Sequence, residues 1–214
     1  TGSVTLFGNN LNAVINASRF TYQGMQADRI SANVTKAGNI WNVISADGIS
    51  GQGAFHISGM ASDRQMNLLV DAERISLKGV SQVSGVAMSG EASLHGRITG
   101  TMKSPVYQGS IYALDGSIKG MEFSDISGSL TLDRNGARID NLHWNTREGS
   151  HEISGTLGFN AQSSLNLKVK SQNIRAEQVL LLAGMSYPIT GYVNNNMTIT
   201  GTLKNPVVTG EILA

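Results

Sequence analysis

The chain of 214 residues contains no cysteine. Disulfides, thiolate zinc sites and thiol nucleophiles are therefore excluded, and cysteine usage leaves the compartment open. Charge is scarce as well, at 14% Asp, Glu, Lys and Arg against the usual ~25%. Sixteen basic and fifteen acidic residues leave a net charge of +1 with no run of either sign, so the basic stripe that nucleic-acid binding needs is missing and no nucleic-acid partner is expected. The longest apolar run, Val179 to Ala183, is too short to cross a bilayer. No signal peptide is visible, and any anchor of a parent protein is expected to lie outside this chain.

Candidate chemistry is thin. His56, His95, His143 and His151 are the only histidines and none has the HxxxH spacing of a metal site, so neither metal nor cofactor is expected. His143 and His151 flank a turn expected at Thr146 to Gly149, which makes them candidate cross-strand neighbours with Glu152 close by. Asp71 and Glu73, and Asp125, Asp133 and Asp140, fall at strand ends and turns, where solvated acids are ordinary. Gly48 to Gly53 is glycine-rich but precedes a strand pattern, so it lacks the helix N-terminus of a phosphate loop. Trp41 and Trp144 read as core or rim anchors. No enzymatic activity is expected.

Twenty-five glycines and 38 serines plus threonines take the place of charge, a β-rich composition. Only three prolines are present, and two occupy the same place in a repeated stretch. Ile98-Thr99-Gly100-Thr101-Met102-Lys103-Ser104-Pro105 recurs as Ile199-Thr200-Gly201-Thr202-Leu203-Lys204-Asn205-Pro206, and a degenerate copy without proline begins at Val4. Its kernel, Ile then Ser or Thr then Gly, starts at Ile49, Ile57, Ile98, Ile126, Ile153, Ile189 and Ile199. That is far more often than composition alone would produce, and it marks a repeated unit. In a strand the kernel puts Ile and Gly on one face and the hydroxyl on the other. Glycine inside a strand marks a bend, a bulge or the close approach of another group.

Aligning the copies gives two modules of about one hundred residues, 1–97 and 98–214. Gly24 matches Gly120 and Ile57-Ser58-Gly59 matches Ile153-Ser154-Gly155 at a spacing of 96 residues, while Ile75 matches Ile174 at 99. Each module alternates apolar and polar residues as strands do. Asp133-Arg134-Asn135-Gly136 is expected to turn the chain through positive φ at Asn-Gly. Ala176 to Ala183, before Gly184, is expected to form a short helix, with a weaker counterpart from Leu77 to Val83. The fold expected is all-β: an elongated, curved sheet, half-pipe, taco-like or solenoid-like, with an apolar concave face.

The segments from Ile98 to Gly109 and from Ile199 to Gly210, with Phe123 to Leu132 after the first, resemble the repeat of the TamB and AsmA-like superfamily, over essentially the whole chain. The resemblance implies a half-pipe spanning the periplasm of a double-membraned bacterium, anchored in the inner membrane by a helix absent here. It further implies phospholipid movement to the outer membrane, a role in outer-membrane biogenesis and protein secretion, and partnership with an outer-membrane barrel assembly protein and with adjoining modules. The family has no catalytic residues to carry over. Groove positions for phospholipid or another apolar chain transfer as apolar strand positions named from alternation. In the first module these are Ile15, Ile30, Val34, Phe55, Ile57, Met66, Leu68, Val70 and Leu94. In the second they begin with Ile98, Met102, Ile111, Ile126, Leu130, Leu132, Ile153, Leu157 and Phe159. They continue with Leu165, Leu167, Val169, Ile189, Val193, Met197, Ile199, Leu203 and Ile212. Two other expectations compete: a parallel β-helix passenger or adhesin-like stalk, and a carbohydrate-active β-helix enzyme with carboxylates on adjacent coils.

Overall fold

The structure, a computed structural model, describes residues 2–7, 10–22, 25–78, 81, 87–118, 120–159, 164–177, 190–202 and 205–213. It is all-β, and the described residues are helical only at 77–78, 81 and 176–177. The rest of both expected helices, from 79 and from 178 onward, falls largely outside the described residues. Contacts divide the chain into two compact units, Thr1–Glu122 and Phe123–Ala214. Ile98, where the second sequence module begins, is inside a strand of the first unit.

The first unit carries β1 (Gly2–Phe7), β2 (Asn10–Tyr22), β3 (Met25–Ala37), β4 (Ile40–Ser50), β5 (Gly53–Ser62), β6 (Met66–Ser76), β7 (Met88–Thr101) and β8 (Ser104–Ile118). The second carries all but the first two residues of β9 (Met121–Leu132), then β10 (Gly136–Asn145), β11 (Ser150–Gly158), β12 (Ser164–Arg175), β13 (Tyr192–Thr202) and β14 (Pro206–Leu213). Within each unit every strand pairs antiparallel with its neighbour in the chain, and the sheet does not close. Short connections favour this order, since antiparallel strands can be joined by a tight turn and parallel ones cannot. The antiparallel ladders are a correction to the β-helix expectations, whose coils stack parallel strands.

Turns are closed by side chains as much as by backbone. Asp133 N–H donates to the Gly136 carbonyl at 3.0 Å, and the Asp133 carboxylate accepts from the amides of Asn135 at 2.7 Å and Gly136 at 2.9 Å. Neither Asn135 nor Gly136 has positive φ. The turn is where the sequence puts it, but an Asx cap makes it. Thr146 closes the β10–β11 turn in the same way, its hydroxyl accepting from the Gly149 amide at 3.0 Å.

Bulges bend the strands. Register breaks between Ala72 and Ile75 in β6 and between Ser171 and Ile174 in β12. Each break holds a non-glycine residue in the left-handed region, Arg74 and Asn173, both at φ 53°. That conformation costs roughly 1 kcal/mol or more, and local bonds offset it. Arg74 N–H donates to Ser93 Oγ at 3.2 Å and its guanidinium to Glu91 at 2.9 Å. Asn173 N–H donates to Asn194 Oδ1 at 2.9 Å and its amide to the Glu148 carbonyl. Arg175 grips the Glu148 carboxylate with two nitrogens, and that hydrogen-bonded charge raises its pKa further.

Much of the tightest burial sits beside these bulges: Ala72, Ala92 and Ala113 in the first unit, Ser171, Ile174 and Ala176 in the second, with Phe123 and Ile126 on β9 equally buried. Most larger apolar residues in mid-strand are only half-buried. Among the described residues no second sheet covers them, which leaves such side chains partly open.

Candidate functional site

Residues directly opposite in a ladder point to the same face, so the register traces lateral rows across each unit. In the first unit one row runs Ile15, Ala32, Ala46, Ile57, Val70, Gly96, Gly109. The row on one side of it holds Ala13, Val34, Val43, Gly59, Leu68, Ile98 and Tyr107, and the row on the other Ile30, Gly48, Phe55, Ala72, Leu94 and Ile111. Met66 lies on the same face, opposite Ala61 and Gly100. All three full rows are apolar.

Glycine on this face makes room for rings. An added Cβ at Gly48 would lie 2.1 Å from the Phe55 ring on the next strand. Gly96 and Gly109 face each other, and Cβ atoms there would lie 2.8 Å from the Tyr107 ring and 2.5 Å from its hydroxyl. Burial raises the Tyr107 pKa, with a smaller contribution from Asp71.

The second unit repeats the arrangement with one exception. Its rows are Gly128, Leu142, Ile153, Val169, Met197, Gly210; then Leu130, Ile139, Gly155, Leu167, Ile199, Val208; then Leu132, Ala137, Leu157, Leu165, Gly201, Pro206. On the same face, one step beyond Ile153, lies Ile126, Trp144, His151, Ser171, Asn195, Ile212. That row carries polar groups in mid-sheet. Val193, opposite Ile174, follows it.

Of the groove positions named from alternation, these rows gather most. Met102 does not join them: it occupies the β7–β8 turn and is 63% exposed, so no strand orients it. Phe159 lies past the end of β11 and is exposed. Ile189 and Leu203 fall outside the described residues. His143 and His151 are not on one face, a correction to their expected pairing. His143 opposes Glu152 while His151 opposes Trp144 one residue on, and successive residues of a strand alternate.

The opposite face is polar and partly ionic. Ser31, Asp47, His56, Asp71, His95 and Ser110 form its central row in the first unit, and Ser127, His143, Glu152, Lys170, Asn196 and Glu211 in the second. His56 Nδ1 lies 2.7 Å from Asp47, and that hydrogen bond lowers the Asp47 pKa. His95 reaches Asp71 and Glu73, each at 3.1 Å. The best-formed depressions are shallow, about 450 Å³ beside Asp47, His56 and Asp71 and about 220 Å³ beside His143, Glu152 and Lys170. Among the described residues no group of three or more His, Asp or Glu is arranged to hold a metal ion, and no helix is long and apolar enough to cross a membrane.

In the middle strands of each unit the two faces differ in exposure even where chemistry is the same, whereas in β2 Ile15 of the apolar row is 46% exposed against 38% for Val14 on the other face. Along β6, Met66, Leu68 and Val70 are half-buried while Asn67, Leu69 and Asp71 are exposed, Leu69 at 44%. Leu167 and Val169 against Lys168 and Lys170 in β12 follow the same alternation. Trp41 at the margin is exposed, with Lys36 Nζ 5.1 Å from its ring centre. Trp144 is half-buried and meets Phe123 edge-on at 6.1 Å and His151 at 6.2 Å.

The polar row at His151 escaped the sequence reading, although its signal was there. Each member lies two residues from a named groove position, His151 from Ile153, Ser171 from Val169 and Asn195 from Met197. Alternation therefore assigns all three to the apolar face. No family model, curated protein or solved structure matches this chain.

Proposed function

We propose that the chain is a non-enzymatic, groove-forming segment of a periplasmic bridge protein of the TamB and AsmA-like kind. It carries phospholipid between the inner and outer membranes, or supports outer-membrane protein assembly with a barrel partner, along an apolar concave lining. The observation that carries this reading is the contrast between Leu68 and Leu69. They are adjacent and identical in chemistry, yet only Leu69 is exposed. With no second sheet among the described residues, a sheet curling toward its apolar face crowds that face's side chains together and spreads the other's apart. The physics of transport asks for the same thing. Drawing an acyl chain of about 15 methylenes through water costs on the order of 12 kcal/mol at ~0.8 kcal/mol per methylene, so a carrier must present a continuous apolar path.

The repeat supports extension into an array. Gly59 and Gly155 share φ 128°, Gly100 and Gly201 have 87° and 86°, and the bulges of β6 and β12 recur at the spacing of the sequence modules. A strand array of this kind lengthens module by module to match a distance.

The test uses single positions on the two faces of β11 in the full-length protein. Photocrosslinking from Leu157 should capture phospholipid, and from Thr156 it should not. Leu157→Arg and Ile98→Asp should interrupt outer-membrane integrity, while Thr156→Arg and Thr99→Asp leave it unchanged. Equal lipid capture from Leu157 and Thr156 would falsify the conduit.

A further inference from the structure

We propose that one rim of the first unit, the strand ends that carry Lys36, Arg64 and Lys103, receives the phosphodiester head group of an anionic phospholipid whose acyl chain lies on the adjoining apolar face. This inference rests on the lipid-carrying reading and adds to it the class of lipid and the side on which its head group is held.

The register places this rim. At these strand ends the last row of the apolar face runs Leu11, Lys36, Trp41, Ala61, Met66, Gly100, Pro105, one step beyond the row of Val34, Val43, Leu68 and Ile98. Just past it come the β5–β6 turn with Arg64 and the β7–β8 turn with Met102 and Lys103. Lys36 thus rises from the same face as the leucines and valines, half-buried, with Nζ 5.1 Å from the Trp41 ring centre. Such a pair suits the boundary between acyl chain and head group, because lysine lays its stem on apolar surface and tryptophan joins an apolar ring to a polar tip. Trp41 is 38% exposed and Met102 63%, so a ligand reaches this boundary without displacing anything.

Charge complementarity selects the head group. Among the described residues Lys36, Arg64 and Lys103 form no ion pair, and the only acid in the three turns of this rim is Asp63. At and just beyond the opposite strand ends the signs balance, Asp28, Glu91 and Asp115 against Arg19, Arg74 and Lys78, and Arg74 is already held by Glu91 at 2.9 Å. A net positive field therefore lies at one rim and not at the other. The three cations stand on β3 and in the turns after β5 and β7, so they follow one another at about 10 Å for strands ~4.8 Å apart. At that spacing one phosphate meets one cation, and the next hairpin offers the next. They are 28 and 39 residues apart in the chain, and only the hairpin order lines them up. The repeated stretch keeps the position, Lys103 recurring as Lys204. A neutral glyceride satisfies the apolar rows but leaves the cations unanswered, and a glycerophosphate without an acyl chain does the reverse.

The experiment compares two probes with the same diazirine-bearing acyl chain, a lysophosphatidylglycerol and a monoacylglycerol, each below its micelle concentration, crosslinked to the 214-residue chain and mapped by mass spectrometry. The lysophosphatidylglycerol should label β3 to β8 about fivefold more, the factor that one basic residue contributes near an anionic surface. Salt at about 1 M, where the Debye length is ~3 Å, should remove the preference. In Lys36→Gln/Arg64→Gln/Lys103→Gln it should fall to within about twofold, with labelling by the monoacylglycerol unchanged, whereas Arg29→Gln on the polar face should leave it intact. Arg64→Gln/Lys103→Gln, confined to exposed turn residues, carries the same test if the triple variant fails to fold. Equal labelling by the two probes in the unaltered chain overturns the rim while leaving the conduit standing, as does a preference that survives in the folded variants. Competition by glycerophosphate as strong as by the lipid overturns the head-group assignment in favour of a general anion site. Labelling by neither probe overturns rim and conduit together.

Discussion

Gly59 in β5 and Gly155 in β11 hold the same backbone angle, φ 128°, and each lies against the next strand so closely that a Cβ would meet a carbonyl oxygen, Asn67 O at 2.2 Å and Asn166 O at 2.0 Å. Both glycines belong to the Ile-Ser-Gly kernel, so the backbone itself dictates the third residue of that motif at these sites. Alanine at either should destabilise its own unit by more than ~1 kcal/mol. Alanine at Gly136, where φ is not positive, should incur the close contact with the Leu157 carbonyl but not the backbone strain. Urea denaturation of the three variants ranks them, and equal midpoints for all would remove the conformational argument.

Gly48 and Phe55 should be energetically coupled, because a Cβ at Gly48 would overlap the Phe55 ring at 2.1 Å. Gly48→Ala should destabilise the unaltered chain yet cost little in a Phe55→Ala background. A double-mutant cycle should return a coupling of about 1 kcal/mol or more. Additive effects would mean that the ring leaves Gly48 without cost.

The difference between the faces of β6 should register in stability. Leu68→Asn should cost about 1–2 kcal/mol, and Leu69→Asn should stay within ~0.5 kcal/mol, as exposed substitutions usually do. Thermal melts of the two variants decide it, and a larger loss at Leu69 would reverse the assignment of faces.

His151 makes the second unit sensitive to acid. Burial holds its pKa below the ordinary 6.5, so the unfolded chain takes up this proton first as the pH falls. The stability linked to neutral His151 is complete above the unfolded value and is lost as the pH drops from there through the folded value. His151→Phe should therefore flatten the fall in stability between ~pH 7 and ~pH 5. Denaturation midpoints across that range, with and without the substitution, measure the difference.

Strands and faces were legible because alternation of the kind seen from Met66 to Ala72 leaves little choice of register. The turn at Asp133 was legible in place but not in mechanism, since a carboxylate capping two amides serves as well as positive φ. The bulges were not legible. Asp115 and Asn173 are of the types that tolerate left-handed backbone, but nothing in Arg19 or Arg74 announces it at φ 53°, since arginine has no local means of favouring it. What holds Arg74 there is Glu91 and Ser93 on the neighbouring β7 and Gln52 in the β4–β5 turn, information that a linear pattern does not contain. The polar row failed for a different reason. His151, Ser171 and Asn195 are in phase with the apolar positions, but they are 20 and 24 residues apart in sequence and only the register aligns them.

Because every strand pairs with its neighbours in the chain, no part of either unit has to wait for a distant part to be made. Such a topology assembles hairpin by hairpin, with short loops to close except those joining β6 to β7 and β12 to β13, and little entropy lost at each step. It comes apart in the same order. Drawn from its ends, each unit should peel one strand at a time through small, evenly spaced force peaks, in place of the single high rupture of a sandwich whose terminal strands are clamped between others. Folding of this sort can follow the chain as it emerges, one strand behind the point of delivery.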